Sequence, residues 1–111
     1  MGYVYALDNP CFRSYTPMDL SGSYVPVKIG MTTKTPAERA VELSNTSVPT
    51  PFQVLWSAEV EDAASAEKYL HGILNDHRIN NSREFFWMDE FHLNKLNEYI
   101  EDYRMLYEVG L

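Results

Sequence analysis

The sequence predicts an α+β domain: a three-stranded antiparallel sheet flanked by helices, in the order ββαβα with a closing C-terminal helix. Three observations lead there. Residues 3–7, 24–31 and 52–60 are rich in β-branched and aromatic side chains and are bounded by turn formers. Two helix starts carry capping side chains, Thr35 and Asp62, each followed by helical periodicity. A third pattern begins after Asp89 and ends the chain.

Each element has a local reason. Tyr3-Val4-Tyr5-Ala6-Leu7 is the first strand. Residues 8–23 read as a long loop, with Asn9-Pro10, Thr16-Pro17 and Ser21-Gly22-Ser23 as turn signals. The second strand returns to pair with the first, and Pro26 places its early part at an edge or a bulge. Thr35-Pro36-Ala37-Glu38 opens the first helix, with Thr35 as cap, Pro36 at the first helical position and Glu38 reaching back. It frays near Ser44-Asn45, and the third strand follows. The second helix is expected from Ala63 to about His77, with Ala66, Tyr69, Leu70, Ile73 and Leu74 on its apolar stripe. Asn80-Asn81-Ser82 breaks the chain, and residues 84–88 form a short extended aromatic segment. The last helix should bury Phe91, Leu96, Tyr99, Ile100, Tyr103 and Leu106.

With 111 residues, 45% of them hydrophobic, the chain can bury one core. Residues 1–88 are expected to form the functional domain, and residues 89–111 an acidic helix packed on it. The single Cys11 forms no internal disulfide and reads as a small half-buried hydrophobe. No segment resembles a signal peptide or a membrane span, so the expected compartment is the cytoplasm, with no membrane partner. The net charge of −7 argues against a general nucleic-acid binder, because phosphate contacts come from Lys and Arg. Yet residues 89–111 hold six acidic side chains against Lys95 and Arg104, a net −4. The remaining surface carries only −3 and has room for a positive face.

Several residues are suited to phosphodiester chemistry. Tyr5 and Lys28 lie on paired strands, where an ammonium can favour the phenolate of a nearby tyrosine. The alternative is a core tyrosine and a solvated lysine. Arg39, near a helix start, can grip a phosphate in a bidentate manner, or can pair with Glu38 or Glu42. Glu67 and His71 are four apart and share a helix face, and Arg78 is expected to continue that stripe. One carboxylate with waters suits magnesium, whereas one histidine is too few for a closed zinc site. The ordinary readings are a Glu67 ion pair with Lys68 and an inert hydrogen-bonded His71. Glu84 precedes Phe85-Phe86-Trp87 and can orient His71 or Arg39, or simply lie at a strand edge. Lys34, Arg39 and Arg78 are the candidate substrate-binding cations.

Taken in order, these motifs resemble the GIY-YIG endonuclease superfamily. The resemblance runs from Gly2 to about Met88 and is nearest to the phage and prophage branch whose second motif reads Lys-Ile-Gly. Tyr3-Val4-Tyr5 looks like the first motif and Lys28-Ile29-Gly30 the second, with Lys28 in place of a tyrosine. The resemblance implies that Tyr5 and Lys28 activate water, Arg39 contacts the scissile phosphate and Glu67 binds Mg²⁺ or Mn²⁺. His71, Arg78 and Glu84 match positions characteristic of the branch. The connection from Tyr5 to Lys28 is longer than usual, and the late asparagine of the superfamily has no clear counterpart. The expected function is metal-dependent hydrolysis of DNA. The rival is an inactive module of the same fold that binds a protein partner through its acidic helix, or mimics nucleic acid as an anti-defence phage protein.

Overall fold

The computed structural model describes residues 1–9, 24–44, 51–79 and 84–108. Cys11, most of the first loop, Asn80, Asn81 and Arg83 lie outside the described residues. The elements are β1 (Gly2–Asp8), β2 (Val25–Thr32), α1 (Pro36–Leu43), β3 (Gln53–Val60), α2 (Ala63–Ile73), β4 (Phe85–Met88) and α3 (Glu90–Tyr107). A 3₁₀ turn, Asn75–His77, follows α2. The α+β class and the element order are as the sequence indicates, but the sheet has four strands, in the order β3-β1-β2-β4. The added strand is the aromatic segment. Val25 to Lys28 pair with it along the side of β2 that β1 leaves open, setting Val27 opposite Phe86. Four residues show no partner in sequence; the pairing is tertiary.

The two faces of the sheet follow strand alternation. Val4, Ala6, Val27, Ile29, Phe86 and Met88 face α2 and α3, and join Ala66, Leu70, Leu96 and Ile100 in the main core. Tyr5 and Leu7 face the other way, against Ala40 of α1. Pro26 sits where β2 has outrun its ladder with β1, which ends at Leu7 opposite Lys28, and it pairs only with Trp87. A position with a single ladder tolerates a missing N–H.

The helix caps are those expected. Thr35 accepts from the Glu38 N–H at 3.2 Å, and its hydroxyl donates to the Glu38 carboxylate at 3.0 Å. Asp62 accepts from the Ser65 N–H and Asp89 from the His92 N–H. Two expectations change. Helix α2 stops at Ile73, because Gly72, Asn75 and Asp76 are weak helix formers. Arg78 is therefore not on the α2 stripe; it forms a β-bridge with Phe86, and the Ile79 N–H donates to the Phe85 carbonyl. In α3, Leu96, Ile100 and Tyr103 are buried, but Phe91 and Leu106 are 61% and 64% exposed. An 18-residue helix runs about 27 Å, longer than the core it covers, so both ends overhang. No helix among the described residues is long and apolar enough to cross a membrane.

Asp89 does more than cap. Burial works against its ionised form, but bonds from the backbone and ring of His92 outweigh this and hold its pKa below the usual carboxylate value. A depressed pKa gives stability that is full above the unfolded value and lost as pH falls through the folded one. Asp89→Ala is expected to cost about 1 kcal/mol at neutral pH, measured by urea unfolding. The cost should shrink as pH falls below the unfolded carboxylate value and through the lower folded one.

Candidate active site

The strand side of the site begins with register. Tyr5 lies opposite Gly30, and Lys28 lies two residues along β2, opposite Leu7. Both side chains therefore project on the α1 face, as the hairpin requires. The Tyr5 ring lies across Gly30. A Cβ at position 30 would stand 2.6 Å from the tyrosine Oη and 2.7 Å from Cζ. Glycine is thus the residue that lets the ring lie against the strand.

Helix α1 brings Arg39 to the same place. Its guanidinium is near enough to act on the Tyr5 hydroxyl. Burial pushes the Tyr5 phenol above its ordinary value, and the neighbouring Arg39 takes back part of that rise. The cation that acts on Tyr5 is therefore Arg39. Lys28 is nearly buried and is paired instead with Glu84, the residue just before β4. The expectation that Lys28 lowers the Tyr5 pKa is corrected on that ground. Arg39 also lies 3.8 Å from Glu42, which holds Lys34 at 2.7 Å. Lys34 thus stands beside Arg39 and is not among the residues lining the grooves described below.

Helix α2 completes the site where β4 ends. The last pairing on that side of β2 is the Ile29 N–H donating to the Glu84 carbonyl, at 2.9 Å. The next polar groups on the same edge would be left without strand partners, a costly state for backbone inside a fold. Side chains of α2 meet them. The His71 Nε2–H donates to the Ile29 carbonyl at 2.7 Å, and the Glu67 carboxylate lies close enough to the Met31 N–H to be influenced by it. The bond to a carbonyl fixes the neutral His71 tautomer with its proton on Nε2, leaving Nδ1 as the basic nitrogen. Phe86, fully buried, underlies both His71 and Arg78, with the His71 ring centre at 5.1 Å and the Arg78 guanidinium at 4.8 Å.

Glu67, His71, Arg78 and Glu84 line an open groove of ≈ 340 Å³. It continues along α2 as a groove of ≈ 600 Å³, where Lys68 and Asn75 join Glu67, His71 and Arg78. The electrostatics tie the two sides together. Glu84 and Glu67 both act on Tyr5, Glu84 acts on Arg39, and Lys28 acts on Glu67. The structure thus brings Glu67, His71, Arg78 and Glu84 together in one groove and pairs Lys28 with Glu84, while Tyr5 and Arg39 are not among the residues lining it and Lys34 stands beside Arg39. Sequence reasoning names Gly30 only as part of the second motif and Lys68 only as an ion-pair partner for Glu67, and foresees neither the contact of Gly30 with the Tyr5 ring nor the place of Lys68 in the groove. A glycine inside a strand was the available signal for Gly30. Nothing local marks Lys68.

Burial raises the Glu67 pKa above the usual value, and the nearby Glu84 adds to this, while His71, Lys28 and the Met31 N–H oppose it. No group of three or more His, Cys, Asp or Glu residues among those described can hold a metal. The donor set is therefore one carboxylate open to a groove, which fits Mg²⁺ or Mn²⁺ keeping most of its waters and does not fit a closed zinc site. A carboxyl with a raised folded pKa carries no penalty below its unfolded pKa, loses stability as pH rises through the window above it, and stays penalised at neutral pH. Glu67→Gln keeps the shape of the side chain and removes that penalty. Its melting temperature at neutral pH is expected to rise by about 1–3 °C, small because the group is partly solvated, with no gain near pH 4.

A small antiparallel sheet with a tyrosine–arginine pair on one face, and a carboxylate groove where β4 leaves the edge of β2, defines an α+β domain with one candidate site. The chain belongs to the T5orf172 domain family, whose model matches residues 2–104, a phage-derived domain related to GIY-YIG nucleases. The match takes in most of α3. No curated protein and no solved structure gave a match.

Proposed function

We propose that this domain hydrolyses DNA phosphodiester bonds with one divalent metal ion at Glu67, as a member of the branch whose second motif is Lys-Ile-Gly. The observation that supports this most is the open groove lined by Glu67, His71, Arg78 and Glu84, whose carboxylates Glu67 and Glu84 also act electrostatically on Tyr5. In this reading Arg39 binds the scissile phosphate and offsets the charge of the transition state. The phenolate of Tyr5 takes a proton from the attacking water, a new P–O bond forms, and the P–O bond to the leaving oxygen breaks. His71 holds that water through Nδ1. The Lys28–Glu84 pair positions Tyr5 and Arg39 electrostatically. Arg78 and Lys34 bind flanking phosphates. A metal ion on Glu67 supplies positive charge against the phosphate and the leaving oxygen.

The acidity of the chain is reconciled by its distribution. Lys28, Lys34, Arg39, Lys68 and Arg78, five of the nine Lys and Arg residues, lie at the site or its margin. A phenol raised by burial is almost wholly protonated at neutral pH, so the usable base is a minor form. Single-turnover cleavage is therefore expected to rise about tenfold per pH unit between roughly pH 7 and 9.

The second reading is an inactive module that binds a protein partner. The observation in its favour is α3, which is acidic and leaves Met105 70% exposed. Incubation with supercoiled and single-stranded DNA separates the two, using Mg²⁺, Mn²⁺ or EDTA, beside Glu67→Ala. Cleavage that needs metal and Glu67 supports the nuclease. Intact DNA in every lane supports the module.

A further inference from the structure

Beside the proposed active site, on the next face of α2, lies a second hollow of ≈ 270 Å³ lined by Ser65, Lys68, Tyr69, Tyr103 and Tyr107. Three tyrosines meet there. The ring of Tyr69 is 5.4 Å from Tyr103 and 6.3 Å from Tyr107, and Tyr103 is 5.1 Å from Tyr107. Their surroundings differ. Tyr103 is 2% exposed and belongs to the core, while Tyr107 is 64% exposed at the end of α3. Core packing accounts for Tyr103 but not for an aromatic ring left mostly in water beside an open hollow.

Lys68 connects this hollow to the site. It lines both the tyrosine hollow and the ≈ 600 Å³ groove that holds Glu67, His71 and Arg78. Residues 64, 67, 68 and 71 lie on one face of α2 and residues 65, 68 and 69 on the adjacent one, so Lys68 stands on the ridge between them. An ammonium on a ridge between an aromatic hollow and a carboxylate groove has the layout of a strand path: a phosphate on the lysine and a base on the rings. Asp102, which is not among the lining residues, acts electrostatically on Tyr69. Its charge repels phosphate there, which leaves the hollow to an uncharged base and the phosphate to Lys68.

We infer that Tyr107, Tyr69 and Lys68 form a subsite for an unpaired nucleotide of the DNA substrate, next to the cleavage site. The base stacks on Tyr107, and the adjoining phosphate meets Lys68. The substrate is then DNA with a single-stranded segment: a free strand, a flap or an overhang. A blunt duplex has no unstacked base to offer. The inference rests on the proposed nuclease reading for the direction of the strand, but its binding chemistry stands apart from cleavage.

The test is fluorescence anisotropy in EDTA with a labelled oligothymidine of about 12 nucleotides and a blunt duplex of similar length. The proteins are the wild type, Tyr107→Ala, Tyr107→Leu, Tyr107→Phe and Lys68→Ala. Loss of one base–aromatic stack lowers affinity for the single strand about tenfold in Tyr107→Ala and Tyr107→Leu, and lowers its ratio to duplex affinity. Leucine keeps an apolar contact with Tyr103, so an equal loss in both variants is a loss of stacking and not of packing. Tyr107→Phe retains the affinity. Lys68→Ala weakens binding and lowers the salt slope by about one. Unchanged single-strand affinity in Tyr107→Ala, or equal losses in Tyr107→Phe and Tyr107→Ala, overturns the subsite. Cleavage assayed in parallel keeps the two ideas separate. Wild-type cleavage with a silent Tyr107 overturns the subsite alone. Tyr107-dependent binding without any cleavage overturns the nuclease reading alone.

Discussion

Arg39→Ala is expected to lower metal-dependent DNA cleavage by about 10²–10³-fold, the usual effect of removing one group aimed at transition-state charge. Two effects combine here. The phosphate loses its guanidinium, and Tyr5 loses the neighbouring cation that counters the effect of its burial. The residual activity should therefore shift to higher pH than that of the wild type. Arg39→Lys keeps the charge but not the planar fork, and recovers only a small part of the loss. Arg39 is partly exposed and contributes nothing to the core clusters, so circular dichroism and melting should change little. Single-turnover cleavage checks this. An Arg39→Ala rate within a few-fold of wild type contradicts the role given to it.

Gly30→Ala is expected to remove activity through Tyr5. The new Cβ would stand closer to the Tyr5 hydroxyl oxygen and two of its ring carbons than non-bonded atoms allow. The ring cannot simply swing away, because it is 1% exposed and lies in a buried cluster with Leu7 and Ala40. Overpacking of this kind costs about 1–3 kcal/mol. A displaced base should lower cleavage by about 10²-fold, since misplacement of about 1 Å has effects of that size. Gly72 supplies the contrast. A Cβ there meets nothing within 4 Å, so Gly72→Ala should gain helix propensity and raise stability. Urea unfolding and cleavage, measured on both variants, check the pair. Unchanged cleavage in Gly30→Ala would sink the claim that Tyr5 acts from its place over Gly30.

What could be read in the sequence was what is local. Caps at Thr35, Asp62 and Asp89 were legible because a cap involves residues three apart. The common face of Tyr5 and Lys28 was legible because alternation along a hairpin fixes it. The electrostatic partners of those two residues were not. Lys28 is taken by Glu84, 56 residues away, only because β4 pairs with the far side of β2. That pairing also decides the surroundings of Glu67 and His71, which meet the β2 edge where β4 stops. Arg78 was misplaced for the same reason: its position comes from a bridge to Phe86 and not from α2. The overhanging ends of α3 could not be read from periodicity, which indicates a face but not how far the core extends beneath it.

The central claim is that one metal ion sits on Glu67 in the groove beside Tyr5 and Arg39. Electron paramagnetic resonance with Mn²⁺ tests it directly, using a phosphorothioate oligonucleotide to supply phosphate oxygens without rapid cleavage. The expected result is one bound ion per chain in the wild type, retained in Tyr5→Phe and lost in Glu67→Ala. No bound ion in the wild type, or the same ion in Glu67→Ala, would contradict the account.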